Sequence, residues 1–164
     1  MSRLENLIGA QSLALADRLT QPGVPRSEAA ALVTLLAHPG RTTGWLGEVL
    51  GITSGGVTRL VDRLVTADLV GRSPGTDARR RTLDLTAKGR ERAEQVLHRR
   101  RDAVAGALSV LGPEEQLELE RLLGKVVGAM TDDRMTALQL CRLCDRAACA
   151  EGSACPLDHT VGHE

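Results

Sequence analysis

Along most of the chain apolar residues recur every three or four positions, and in one stretch the interval drops to two. Residues 3–20 place Leu4, Leu7, Ile8, Leu15 and Leu19 on one stripe of a helix, which Pro22, Gly23 and Pro25 end. Ser27 and Glu28 open a second helix that is apolar nearly all round and is expected to be the buried centre; His38-Pro39-Gly40 closes it. His38, at that C-terminus, is expected to complement the helix dipole. Leu46, Val49 and Leu50 then mark a short amphipathic helix, and Gly51 suits the left-handed position at its end. Thr53 or Ser54 caps the next helix, whose inner face is Val57, Leu60, Val61 and Leu64. Two short helices across a glycine turn make a helix-turn-helix.

The helical period ends beyond Leu69 and Val70. Residues 71–77, Gly-Arg-Ser-Pro-Gly-Thr-Asp, are turn chemistry, and Thr82 to Thr86 alternates as a strand does, which predicts a hairpin with a cationic tip. Residues 87–111 follow as a long helix with Ala93, Val96, Leu97, Val104, Ala107, Leu108 and Leu111 at helical spacing and Arg99, Arg100 and Arg101 on the other side. Gly112-Pro113 breaks the chain. Glu114 and Glu115 then suit the first turn of a further helix bearing Leu117, Leu122, Val126, Val127 and Met130. Apolar stripes on helices outside a compact helix-turn-helix need a covering surface, and the same helices of a second chain supply one, so a homodimer is expected. The fold class is therefore mainly α with a small β-wing: a winged helix-turn-helix plus a helical dimerisation region.

Composition narrows the partner. The chain of 164 residues has no Phe or Tyr and a single Trp, Trp45, which argues against recognition of single strands by stacking bases on aromatic side chains. Its formal net charge is +0, yet the charge is unevenly placed: from Arg59 to Arg101 there are 12 bases against 6 acids, and from residue 113 onward 10 acids against 5 bases. A basic middle suits double-stranded DNA. No stretch approaches the ~20 apolar residues of a membrane span. The N-terminus lacks the apolar run of a secretion signal, so a cytoplasmic protein is expected.

A duplex major groove admits one α-helix, and residues near the start of that helix reach base edges. Ser54, Gly55, Thr58, Arg59 and Arg63 are the candidates on the second helix of the pair. Arg79, Arg80 and Arg81 on the hairpin face phosphates or the adjacent minor groove, and Arg72 and Ser73 at the hairpin's start add phosphate contacts. Two such helices in a dimer stand one turn of DNA apart, which makes a pseudo-palindromic target.

These residues carry a family resemblance. Leu50 through Gly89 resembles the winged helix-turn-helix of the MarR (multiple antibiotic resistance regulator) family, whose wing pattern of Asp-x-Arg followed by Leu-Thr-x-x-Gly falls here on Asp77, Arg79, Leu85, Thr86 and Gly89. Thr58 to Leu64 is similar to the family's recognition helix. The chain departs from the pattern at Asp68, where the family usually has glycine, and in the Gly55-Gly56 pair. The resemblance implies a domain over residues 1–130, with 42–89 as the DNA-binding core and 1–20 and 87–130 as dimerisation helices. It also implies a cleft for a small-molecule effector, often phenolic, between the dimerisation helices and the winged part.

Residues 131–164 form a cysteine-rich tail outside that resemblance. Cys141, Cys144, Cys149 and Cys155 follow the spacing C-x2-C-x4-C-x5-C. Four thiolates close a tetrahedral zinc site, and the same spacing admits an iron–sulfur cluster or a metal-free dithiol switch at Cys141 and Cys144. His159 and His163 are set aside as solvated. The expected function is a dimeric DNA-binding transcriptional regulator with a metal or redox site that senses or stabilises, and not an enzyme. A thiol oxidoreductase and a zinc-dependent protein-interaction module are the alternatives; no βαβ context or glycine-rich phosphate loop accompanies the cysteines.

Overall fold

A computed structural model describes residues 2–19, 23–75, 81–151 and 155–157. Helix α1 (Arg3–Leu19) contains no buried residue in the single chain and touches the body along α5 (Ala87–Leu108). Helix α2 (Arg26–Ala37) is the central one: Ala29 to Leu35 are all buried, as its continuous apolar run requires. After a left-handed Gly40, the two-residue strand β1 (Arg41–Thr42) leads into α3 (Thr43–Leu50), which is capped by the Thr42 hydroxyl accepting from the Trp45 amide. Gly51 ends α3 at φ 65°, where a side chain would clash with the backbone.

Helix α4 (Ser54–Thr66) is capped by Thr53, whose Oγ1 accepts from the Gly56 amide at 3.2 Å. An ideal Cβ on Gly47 would stand 3.0 Å from Val57 Cγ1, so a glycine lets α3 and α4 cross closely. The exit from α4 passes through Asp68, which takes the left-handed conformation at φ 59° that glycine would adopt without strain. The residue departs from the resembling pattern; the backbone conformation is still one that favours glycine.

Strand β2 (Val70–Pro74) pairs antiparallel with β3 (Arg81–Leu85), from Val70 opposite Leu85 to Pro74 opposite Arg81. Gly71 to Pro74 thus belong to a strand, where the sequence suggested turn. The sheet order β1-β3-β2 explains it: β2 is an edge, so Pro74 forfeits no inner ladder bond. The helical period also stops earlier than expected, at Thr66, and Val70 is already strand.

Thr86 caps α5, and Gly112 precedes α6 (Pro113–Gly128), its amide donating to Glu115 Oε2 at 2.8 Å. The main core gathers Leu32 and Leu35 of α2, Leu46 of α3, Val57, Leu60, Val61 and Leu64 of α4, and Leu83 of β3. The tail does not stand apart from it. Helix α7 (Arg134–Cys141) lies against α3, where Ala137, Leu138 and the tail's Leu157 bury with Val49 in a second cluster that Trp45 and Val127 flank. A short α8 (Arg146–Ala150) follows. No helix among the described residues is long and apolar enough to cross a membrane.

Candidate nucleic-acid interface and cysteine cluster

Helix α4 divides its residues as its sequence demands. Val57, Leu60, Val61 and Leu64 face the core, while Ser54, Gly55, Thr58, Arg59 and Arg63 are exposed on the other side. The Thr58 hydroxyl donates to the Ser54 carbonyl at 2.8 Å, which orients the side chain and leaves its oxygen lone pairs outward. Arg59 and Arg63, four positions apart, stand one above the other along that face.

The wing is fastened to this helix. Arg72 of β2 donates to Asp62 Oδ1 of α4 at 2.6 Å and so ties the wing to the helix. Asp62 was not among the residues singled out from sequence; an acid amid the basic face of an amphipathic helix was the available signal. Ser73 and Arg81 are exposed on the paired strands, with the Thr82 hydroxyl donating to the Ser73 carbonyl at 3.4 Å. Asp77, Arg79 and Arg80 lie outside the described residues, as do His159 and His163.

The wing's far end is built by Leu85-Thr86-x-x-Gly89. The Thr86 amide donates to the Leu69 carbonyl at 3.1 Å and its hydroxyl to the Asp68 carbonyl at 2.7 Å, while Lys88 Nζ donates to the Ala67 carbonyl at 2.8 Å. Here α5 starts directly over the exit of α4. An ideal Cβ on Gly89 would lie 1.8 Å from the Leu69 carbonyl oxygen. Only glycine allows that crossing.

His38 contradicts the sequence expectation. Burial, then the nearby charges of Arg146, Arg41 and Arg134, push its pKa down to about 4, so the ring is neutral and cannot complement the dipole of α2 as a cation. Instead Nε2 meets an Arg146 guanidinium nitrogen at 3.0 Å, and the ring sits edge-on to Trp45 at 5.3 Å between centroids. Arg41 lies over the same indole at 5.2 Å.

Two of the four cysteines come to one side of α3. Cys141 ends α7 and packs, with Cys155, against the cluster of Val49, Leu138 and Leu157. The Cys144 amide closes a tight turn onto the Cys141 carbonyl at 2.8 Å. A hydrogen bond between the two thiols holds Cys144 down at about 7, with Arg100 helping, and pushes the Cys141 thiol up. Charge on Cys155 and Cys149 raises Cys141 further, which puts the other three sulfurs within electrostatic reach of Cys141. Among the described residues no three Cys, His, Asp or Glu side chains stand at ligand spacing as placed. Arg100, expected on the outer side of its helix, is half-buried beside Cys144, and loss of solvent lowers its pKa.

A cavity of about 290 Å³ opens between α1, α2, α5 and the end of α7. Leu19, Val24 and Val96 give it apolar walls, and Arg26, Arg100 and Arg142 give it positive charge.

Residues 23–81 match the model of the MarR family. The HTH-type transcriptional repressor MdtR of Bacillus subtilis (strain 168) is 29% identical over 118 residues, which cover 71% of this chain and 76% of that protein. Among solved structures, a MarR family protein from Bacillus stearothermophilus is 28% identical with a TM-score of 0.67, covering 75% of this chain and 89% of its own. RV1404 from Mycobacterium tuberculosis is likewise 28% identical, with a TM-score of 0.66 and 77% and 91% coverage. The chain therefore carries the winged helix-turn-helix fold of MarR proteins, and these similarities support a role in transcription regulation through DNA binding.

Proposed function

We propose that this chain is a MarR-type transcriptional regulator that binds duplex DNA as a homodimer and reads a pseudo-palindromic operator. One observation carries the reading: the exposed face of α4 is polar in its first turn and carries Arg59 and Arg63 beyond it, and the Arg72–Asp62 tie fixes the wing beside it. A helix and a wing held in one frame can follow groove and phosphates together. In this reading Ser54, Gly55 and Thr58 reach base edges, Arg59, Arg63, Ser73 and Arg81 meet the backbone, and Arg79 and Arg80 meet phosphates or the adjacent minor groove.

Support for the dimer is the apolar surface of the single chain. Leu4, Leu7, Ile8 and Leu13 of α1, Leu117, Leu122, Leu123 and Val126 of α6, and Met130 just past its end are all exposed. A water-facing surface of that composition on two helices suits a second copy. The cavity between α1, α2 and α5 is the effector site of this reading. Its three arginines and apolar walls favour a small apolar anion over a neutral phenol. The tail cysteines supply a metal or redox site attached to the same frame.

The test uses fluorescence anisotropy with duplexes from upstream of the chain's own coding region, titrated as salt is lowered. Arg59→Glu with Arg63→Glu should abolish binding while leaving the dimer and its helical content intact. Equal affinity of that variant and the parent would remove α4 from the interface.

A further inference from the structure

We infer that Cys141, Cys144, Cys149 and Cys155 form a tetrahedral zinc-thiolate site whose role is to staple the helix-turn-helix to the dimerisation helix α6; the staple's effect on DNA rests on the regulator reading above.

The argument starts from what the tail lacks. Its described buried side chains are Ala137, Leu138 and Leu157, far too few to order a segment of this length alone. Yet it reaches two separate parts of the body. At one end α7 lies on α3, where Gln139 Nε2 donates to the Glu48 carbonyl at 2.9 Å and Leu138 packs on Val49. The Thr34 hydroxyl adds a bond to the Arg142 carbonyl at 3.3 Å. At the other end Pro156 rests on α6: an ideal Cβ on Gly124 would meet its Cγ at 3.8 Å, and one on Gly128 its carbonyl oxygen at 3.2 Å. Small residues one turn apart on α6 thus receive the chain right after Cys155. Leu157 then buries beside Val49 of α3 and Val127 of α6.

Cys141 and Cys155 therefore stand at the two arms of a clasp, and both touch one apolar cluster. Cys144 is in hydrogen-bond contact with Cys141. Zinc–sulfur bonds of ~2.3 Å place thiolates ~3.8 Å apart along a tetrahedron's edge, so a touching pair is close to the spacing zinc needs. An iron–sulfur cube spreads its cysteines over separate irons and needs a wider set. As placed, no three of the four cysteine side chains stand at ligand spacing, so closing the site requires Cys149, on the five-residue α8, and Cys155 to move toward Cys141 and Cys144. Zinc with four thiolates has a net charge of −2, and Arg100 beside Cys144 offsets part of it. Binding releases the thiol protons to solvent, and its free energy becomes folding free energy of the tail.

The experiment takes the full chain purified without chelator. Expected are one zinc per chain by elemental analysis and, after exchange with Co²⁺, the charge-transfer and d–d bands of a tetrahedral thiolate site. Cys149→Ser should lose the metal, whereas Cys149→His should keep it, because imidazole also ligates zinc. Loss of the metal should speed proteolytic cleavage between residues 142 and 157 by about tenfold or more while the helical content of the rest is kept. Iron with acid-labile sulfide, a metal-free chain with no cobalt spectrum, or cleavage unchanged by zinc removal would each overturn the staple. Duplex binding measured on the same samples separates the two claims. Zinc without DNA binding sinks the regulator alone, and DNA binding without zinc sinks the staple alone.

Discussion

Substituting Gly89 by alanine puts a methyl group where a carbonyl already is. The added Cβ would stand 1.8 Å from the Leu69 oxygen, 2.8 Å from its carbonyl carbon and 3.2 Å from its Cα, all backbone atoms that no rotamer can move aside. An ordinary carbon–oxygen approach is ~3.3 Å, so the start of α5 must withdraw by about 1.5 Å. That movement stretches the Thr86 amide bond to Leu69 and the Thr86 hydroxyl bond to Asp68, each worth about 1 kcal/mol. Overpacking adds roughly 1–3 kcal/mol, against which alanine's better helix propensity returns at most about 1 kcal/mol. The net is a loss of about 2–4 kcal/mol, or a fall in Tm on the order of 5–15 °C for a chain of this size. Thermal unfolding followed by circular dichroism, at one fixed chain concentration, reads it. Gly106→Ala is the control, since nothing lies within 4 Å of its Cβ position and it should gain stability. A Gly89→Ala protein as stable as the parent would refute the crossing of α5 over the exit of α4.

Three further outcomes are expected. Gly55 has open space around its Cβ position, so Gly55→Ala should raise stability by about 0.5–1 kcal/mol. If that turn meets DNA, duplex affinity in anisotropy should still fall roughly tenfold, ~1.4 kcal/mol; unchanged affinity would move α4's first turn away from the groove. His38 has a folded pKa of about 4 against 6.5 unfolded, so the unfolded chain takes up the proton first as pH drops. Stability should be full above pH 6.5 and fall by roughly 1–3 kcal/mol toward pH 4. His38→Gln should flatten that part of a urea-denaturation profile, and an unaltered slope would discard the assignment. Leu122→Glu on α6 should convert the dimer to monomer in sedimentation velocity, and a persisting dimer would relocate the interface.

What sequence made legible was local. Gly51 and Thr53 mark the turn and cap of the helix pair because a left-handed glycine and a hydroxyl accepting an amide act within four residues. The buried stripe of α4 and the continuous run of α2 were readable for the same reason, since period decides which face is inside. Features set by distant partners were not readable. Strand β1 is two residues long and exists because β3 pairs with it, with Asp84 holding the Gly40 amide at 2.9 Å. The neutral state of His38 depends on its burial and then on Arg146, 108 residues away. Arg100 turned inward because the tail returns beside α5, and nothing in its own helix's period announced that return. At the candidate interface, sequence picked out the exposed residues of α4 and Arg72, but not the ion pair that Arg72 makes. Its role as a tie to Asp62 follows only from β2 folding back on α4. Gly89 belonged to a recognisable pattern, and the backbone crossing supplies its physical reason.

The most direct test of the proposed regulator is hydroxyl-radical footprinting of the full chain on a bound genomic duplex, with the protein-to-DNA ratio measured on the same complex. Two copies holding one α4 each should protect two patches on one face of the duplex, about one helical turn of 10–10.5 base pairs apart, at two chains per site. A single protected patch with one chain bound, or no protection at any salt concentration that leaves the protein folded, would contradict it.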